Sequence, residues 1–279
     1  MRWTPGRRSS NLEDRRGMSV GRGLGVGGGL LALILSLVFG TDIFGPATQT
    51  DIGYGDAPVE GAPASTTPEE ERLVDFVSFV LDSTQATWHE ILPTLGVQYR
   101  DARLVLFRDA VESACGFAQA AVGPFYCPAD EKVYVDLSFF EELRSRFGAP
   151  GDFAQAYVLA HEIGHHVQNV LGIEQEVRRA MQRSGGQNND LSVRLELQAD
   201  CLAGVWGSRA ARQGILEPGD AEEGLGAAAA VGDDRIQRMS TGRVSPESWT
   251  HGSSAQRMEW FRRGFSSGRA DACDTFRAR

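Results

Sequence analysis

The stretch His161-Glu162-Ile163-Gly164-His165-His166-Val167-Gln168 restricts this chain more than any other. On a helix, an H-E-x-x-H puts its two outer histidines on one face, with the intervening Glu directed at the same space. Two imidazole nitrogens can then share one divalent ion beside a carboxylate that serves as a base, the layout of a zinc hydrolase. The flanks agree with a helix. Asp152 to Ala160 is a good helix former, Asp152 after Pro150-Gly151 predicts the N-cap, and Gly172 predicts the stop.

Charge is distributed unevenly. Residues 1–22 hold six arginines (Arg2, Arg7, Arg8, Arg15, Arg16 and Arg22) against Glu13 and Asp14, so the rest keeps 22 of the 28 basic residues and 35 of the 37 acidic ones. An acidic body of this kind excludes nucleic acid as the expected partner. Gly23 to Phe39 carries no charge and contains the apolar run Leu30 to Phe39, which Ile43-Phe44 can lengthen. About 20 residues is the length of a membrane span. The arginines before it and Asp42, Asp51 and Asp56 after it fit an N-terminus kept inside the cell and a body outside. No clear A-x-A cleavage site follows, so the sequence predicts an uncleaved, single-pass anchor. The expected organisation is a basic cytoplasmic N-terminus (1–22), a transmembrane anchor (23–44), a flexible linker rich in Gly, Pro and Thr (45–68), and one extracytoplasmic domain (69–279).

Four cysteines agree with an exported body, and of the three pairings available the expected one joins Cys115 to Cys127 and Cys201 to Cys273. No two of them form a C-x-x-C pair, which argues against cysteine as a zinc ligand.

Within the domain, Leu73, Phe76, Val77, Val80, Leu81, Trp88 and Ile91 recur at three and four, predicting an amphipathic helix that ends before Pro93. Leu104 to Phe107, Phe117 to Tyr126 and Lys132 to Leu137 read as strands. Residues 132–136 are expected to form the edge on which an extended peptide pairs. Ser138 with Glu141 resembles a capping box for a helix running to Phe147. Asp190 is expected to cap a long helix reaching about Gln213, and further helices are expected across 227–236 and 254–265.

A catalytic zinc takes three protein ligands and leaves a position for water. His161 and His165 supply two, and Glu196, on the long helix, is the expected third. Asp200, one turn further on, can accept the outer N–H of a ligand histidine and fix its tautomer. His166, Glu174 and His251 are the other candidates for third ligand, His166 being poorly placed because neighbours on a helix diverge by about 100°. Glu162 is the expected general base. His251, near a helix start, is the expected oxyanion donor, with Tyr157 and Arg235 behind it.

The blocks Cys115-Gly116, Gly123 to Pro128, Ala156 to Gln168, Glu196 to Cys201, Gly232 to Gln237 and His251 to Arg257 together resemble the bacterial putative neutral zinc metallopeptidases of the YpfJ type. The similarity covers roughly residues 70–276. It implies a membrane-anchored, zincin-like α+β domain, mostly helical with a small sheet. His161, Glu162 and His165 match the motif directly, and Glu196 matches by likeness to the wider group with a helical Glu as third ligand. The expected activity is zinc-dependent hydrolysis of peptide or protein substrates. A zinc-holding scaffold of a membrane assembly and a cell-wall amidase are the alternatives.

Overall fold

The structure, a computed structural model, describes residues 1–18, 66–183 and 188–277. Strand β1 (Leu12–Asp14) is followed by helix α1 (Pro68–Ile91), which starts because Thr67 accepts the Glu70 N–H and Pro68 sits in the first turn, where its missing donor costs nothing. The stripe predicted for this helix lies on its buried face from Phe76 on, with Val77, Val80, Leu81, Trp88 and Ile91 buried, while Val74 rather than Leu73 is buried at its start.

Strands β2 (Arg103–Phe107), β3 (Ala110–Ser113), β4 (Gly116–Gln119), β5 (Phe125–Cys127) and β6 (Lys132–Asp136) come next. The run expected as one strand from Phe117 to Tyr126 is divided, because Gly123, at φ 85°, and Pro124 break the extended path between β4 and β5. One sheet has the order β1-β2-β6-β5, with β1, β2 and β6 parallel and β5 antiparallel; β3 and β4 form a separate hairpin. Strand β6 is therefore paired on both sides. Its backbone groups are already used, which overturns the expectation that residues 132–136 offer an edge to a peptide.

Helix α2 (Ser138–Ser145) is shorter than expected, and the Ser138–Glu141 capping box does not form; the Asp136 carboxylate accepts the Ser138 N–H instead, at 2.9 Å. Helices α3 (Asp152–Val170) and α4 (Ile173–Arg183) follow, with Gly172 at φ 76° between them. Helix α5 (Asn189–Arg212) is capped by Asn188 rather than Asp190. Two helices, α6 (Asp220–Ala230) and α7 (Asp233–Thr241), replace the one expected across 227–236, because Gly232 lies so close to the Ser254 backbone that a Cβ would overlap it. Helix α8 (Ser254–Ser267) opens with a complete capping box of Ser253 and Gln256.

Helices α3, α5, α6 and α8 pack around Phe153, Trp206 and Phe261, the first two stacked at 5.6 Å between ring centroids. Added Cβ atoms at Gly204 and Gly264 would overlap the carbonyls of Phe261 and Cys201, so α5 and α8 meet backbone to backbone. Disulfides join Cys115 to Cys127 and Cys201 to Cys273, as expected, the second tying the C-terminal tail to α5.

Residues 1–18 are part of this body, which corrects the expectation of a separate basic N-terminus over residues 1–22. The physical reason is that the segment has both a strand and charge partners in the domain. Strand β1 pairs in register with β2, Leu12 opposite Leu104 and Asp14 opposite Leu106. Trp3 packs on Phe76 and Phe79. Arg16 is 5% exposed and reaches Asp14 at 2.6 Å, Glu71 at 2.9 Å and Glu70 at 3.0 Å. The Met1 amino group lies 2.9 Å from Asp152, the first residue of α3, and 3.3 Å from Asp220. The expected anchor (23–44) and nearly all of the expected linker (45–68) lie outside the described residues. Among the described residues, no helix is long and apolar enough to cross a membrane.

Candidate metal centre

The site lies where α3 crosses α5. Gly164, between the two motif histidines, faces Ala199, and a Cβ added there would stand 3.0 Å from the Ala199 carbonyl oxygen and 3.3 Å from its Cβ. Small residues at the crossing let the helices approach closely enough for α5 side chains to reach the α3 imidazoles. Glu196 does so: its two oxygens lie 3.2 Å from His161 Nε2 and 3.5 Å from His165 Nε2. One atom from each of the three residues falls within 4.8 Å of the others.

Both motif imidazoles are oriented from behind. His161 Nδ1 meets Asp200 Oδ1 at 2.9 Å, and His165 Nδ1 donates to Gln168 Oε1 at 2.9 Å. With each Nδ1 engaged, each Nε2 is left for the centre. Asp200 is completely buried. Arg257 from α8, 3% exposed, grips it with Nε to Oδ2 at 2.8 Å and Nη2 to Oδ1 at 2.9 Å, and the Tyr157 hydroxyl donates to the same carboxylate. On the other side, Gln168 donates to the Leu195 carbonyl and to Gln198, and Gln198 donates to the Cys273 carbonyl.

The electrostatics favour a cation between these groups. Burial drags the His161 imidazolium down, but Asp200 and Glu196 outweigh it and lift its pKa to about 9. Burial also pushes Glu196 and Asp200 up, and the surrounding histidines and Arg257 bring both below the ordinary carboxylate range. His165 is lowered, chiefly by burial, which keeps its ring a neutral donor. Two imidazole nitrogens and one carboxylate, with outer nitrogens already satisfied, fit a zinc ion with a position left for water.

Glu162 lies 8% exposed beside this set, and burial pushes its pKa up to about 7. His251 belongs to the same electrostatic neighbourhood: its charge acts on Glu162 and Glu196. Asp233, at the start of α7, holds it. The Asp233 carboxylate accepts the Thr250, His251 and Gly252 N–H groups at 2.8, 2.7 and 3.1 Å, and His251 Nδ1 at 3.1 Å.

The structure therefore brings together His161, Glu162, His165, Glu196, Asp200 and His251. The other candidates are engaged elsewhere: His166 is bonded to the Tyr126 hydroxyl and the Arg100 carbonyl, Arg235 donates to the Phe147 carbonyl, and Tyr157 is spent on Asp200 beneath the centre. Glu174 pairs through Oε1 with Arg178, and its charge also acts on His165. Three residues escaped the sequence reading: Gln168, Asp233 and Arg257. Gln168 had a signal, since it stands one helical turn after His165. Arg257 had none, because its partner is far along the chain.

Comparison with known proteins places residues 1–276 in the family described as putative neutral zinc metallopeptidase. The chain is 46% identical to the uncharacterized protein YpfJ of Escherichia coli (strain K12), over 99% of either chain. It is 47% identical over 208 residues, 71% of this chain and 68% of the relative, to the uncharacterized protein Mb2605 of Mycobacterium bovis. The same figures hold for the uncharacterized protein Rv2575 of Mycobacterium tuberculosis (strain ATCC 25618 / H37Rv). No solved structure matches.

Proposed function

Because the chain belongs to the putative neutral zinc metallopeptidase family, whose cofactor is Zn2+, we propose that it hydrolyses peptide bonds with Glu162 as general base. The observation that carries this reading is the meeting of two imidazole Nε2 atoms and the Glu196 carboxylate beside a buried Glu162. A zinc ion held by His161, His165 and Glu196 would supply Lewis-acid polarisation of a water and of the scissile carbonyl. Glu162 would take the proton from the attacking water and pass it to the leaving nitrogen. A carboxyl with a pKa near 7 suits both transfers at neutral pH.

Asp200 keeps the proton of His161 on Nδ1, and Gln168 does the same for His165, so both inner lone pairs stay directed at the centre. His251, whose Nδ1–H is committed to Asp233, offers Nε2 to the oxyanion that develops on the carbonyl. Burial lowers the His251 pKa, but Glu196 and Asp233 outweigh it and raise the value above that of a free imidazole, which favours the donating form. The uncharged sequence from Gly23 to Phe39 supports attachment to a membrane.

Glu162→Gln tests the reading. The variant keeps its zinc, measured by metal analysis of purified protein, and loses about 10²–10⁴-fold in peptide cleavage, the usual contribution of a general base. Unchanged cleavage would remove Glu162 from the mechanism. Cleavage of purified wall fragments but of no member of a peptide library would redirect the assignment to a cell-wall amide.

A further inference from the structure

We propose that residues 1–18 and the zinc domain occupy the same side of the membrane, so that the apolar sequence between them does not carry the chain across. The first observation is where the described chain leaves and returns. Arg16, two residues before the end of the N-terminal segment, is ion-paired with Glu70 and Glu71 in the first turn of α1. Thr66, at the return, hydrogen-bonds Glu71. Departure and re-entry thus share one cluster of side chains. A single crossing would separate them by the roughly 30 Å of the hydrocarbon layer.

The second observation concerns the arginines. As a sequence they read as an orientation signal that holds the N-terminus inside. In the fold they are partners of carboxylates: Arg8 meets Glu71 at 2.6 Å and Asp75 at 2.7 Å, Arg15 meets Glu13 at 2.7 Å, and Arg16 is enclosed by Asp14, Glu70 and Glu71. Arg8 and Arg16 are thereby accounted for by the domain that they complete. Removing the segment would also strip β1 from β2, whose Leu104 and Leu106 are fully buried. The family match begins at residue 1, which places this segment inside the region shared with the relatives.

A double crossing has no sequence to make it. Residues 42–65 carry Asp42, Asp51, Asp56 and Glu60 and contain no second apolar run. The two disulfides place the shared side in an oxidising compartment, so the N-terminus is exported together with the domain.

The unaltered full-length protein offers a direct test, because Lys132 is the chain's single lysine and lies 3.0 Å from Glu13 of β1. Carbodiimide applied to membranes before extraction should yield a peptide in which Lys132 is joined to Glu13, read by mass spectrometry and absent from Glu13→Gln. Recovery of Lys132 joined only to acids of the domain, or not joined at all, would overturn the proposal. A second test labels Ser10→Cys and Ser266→Cys, both at exposed positions, with a membrane-impermeant maleimide in intact cells. Equal labelling of the two is the expected result, and protection of either position until lysis would overturn it.

Discussion

Two arginines are buried in this molecule to almost the same degree, and their surroundings differ. Arg257 is 3% exposed and serves Asp200, which no solvent reaches; Arg16 is 5% exposed and serves Asp14, Glu70 and Glu71, whose side chains remain 18–35% exposed. At the metal centre, then, a cation compensates a carboxylate that has no other source of solvation except His161 and Tyr157. At the N-terminal seam, water shares the task. Burial of an ion tells little about its importance until the exposure of its partner is known.

The largest effect should come from Arg257→Met. It leaves Asp200, at zero exposure, with only His161 and Tyr157 as partners, a loss of about 3 kcal/mol in unfolding free energy by denaturant titration. A loss no greater than at the seam would break the comparison. Asp200→Asn should weaken zinc affinity by about 10–100-fold in competition with a chelator, because His161 loses the carboxylate that orients it. The seam should not respond to that change. Arg16→Met should cost less, about 1–2 kcal/mol, and leave zinc affinity unchanged, since its three carboxylates fall back on water.

The smallest and most discriminating effect is on pH dependence. In chelated protein, the His161 pKa of about 9 lies above its ordinary 6.5, so its contribution to stability is complete below pH 6.5 and is lost as pH rises through about 9. Glu71 and Asp14 are shifted the other way, Glu71 by hydrogen bonds from Arg8 and Arg16 and Asp14 by Arg16, so the seam's contribution is present at neutral pH and lost in acid. Melting temperatures of chelated protein between pH 6.5 and 9 should therefore decline, by an amount that His161→Gln reduces, with Glu162 and His251 supplying the rest, and that Arg16→Met leaves unchanged. Zinc displaces the same proton, so its affinity should climb across that interval, read as proton release by calorimetry.

The parts of the site that were legible in the sequence share one property. His161, Glu162 and His165 are related by helical period, and Glu196 and Asp200 repeat that period on a second helix, so local geometry determines which face each shares. The remainder depends on where distant elements dock. Arg257 reaches Asp200 only because Gly204 and Gly264 let α8 lie against α5, and Asp233 reaches His251 only because α7 begins beside that loop. The sheet illustrates the same limit. Strand β6 reads like an edge until β2 and β5 are known to pair with it on its two sides. Nor could Arg8 and Arg16 be told from a topogenic signal, because their partners Glu70, Glu71 and Asp75 lie beyond the apolar stretch.

The amide relay behind His165 extends the centre further than its ligands. From Gln168 through Gln198 it ends on the carbonyl of Cys273, a residue stapled to α5 by its bond to Cys201. The Cys201–Cys273 disulfide of the C-terminal tail thus stands three links from the His165 imidazole, and the tail it fastens backs the inner wall of the candidate centre.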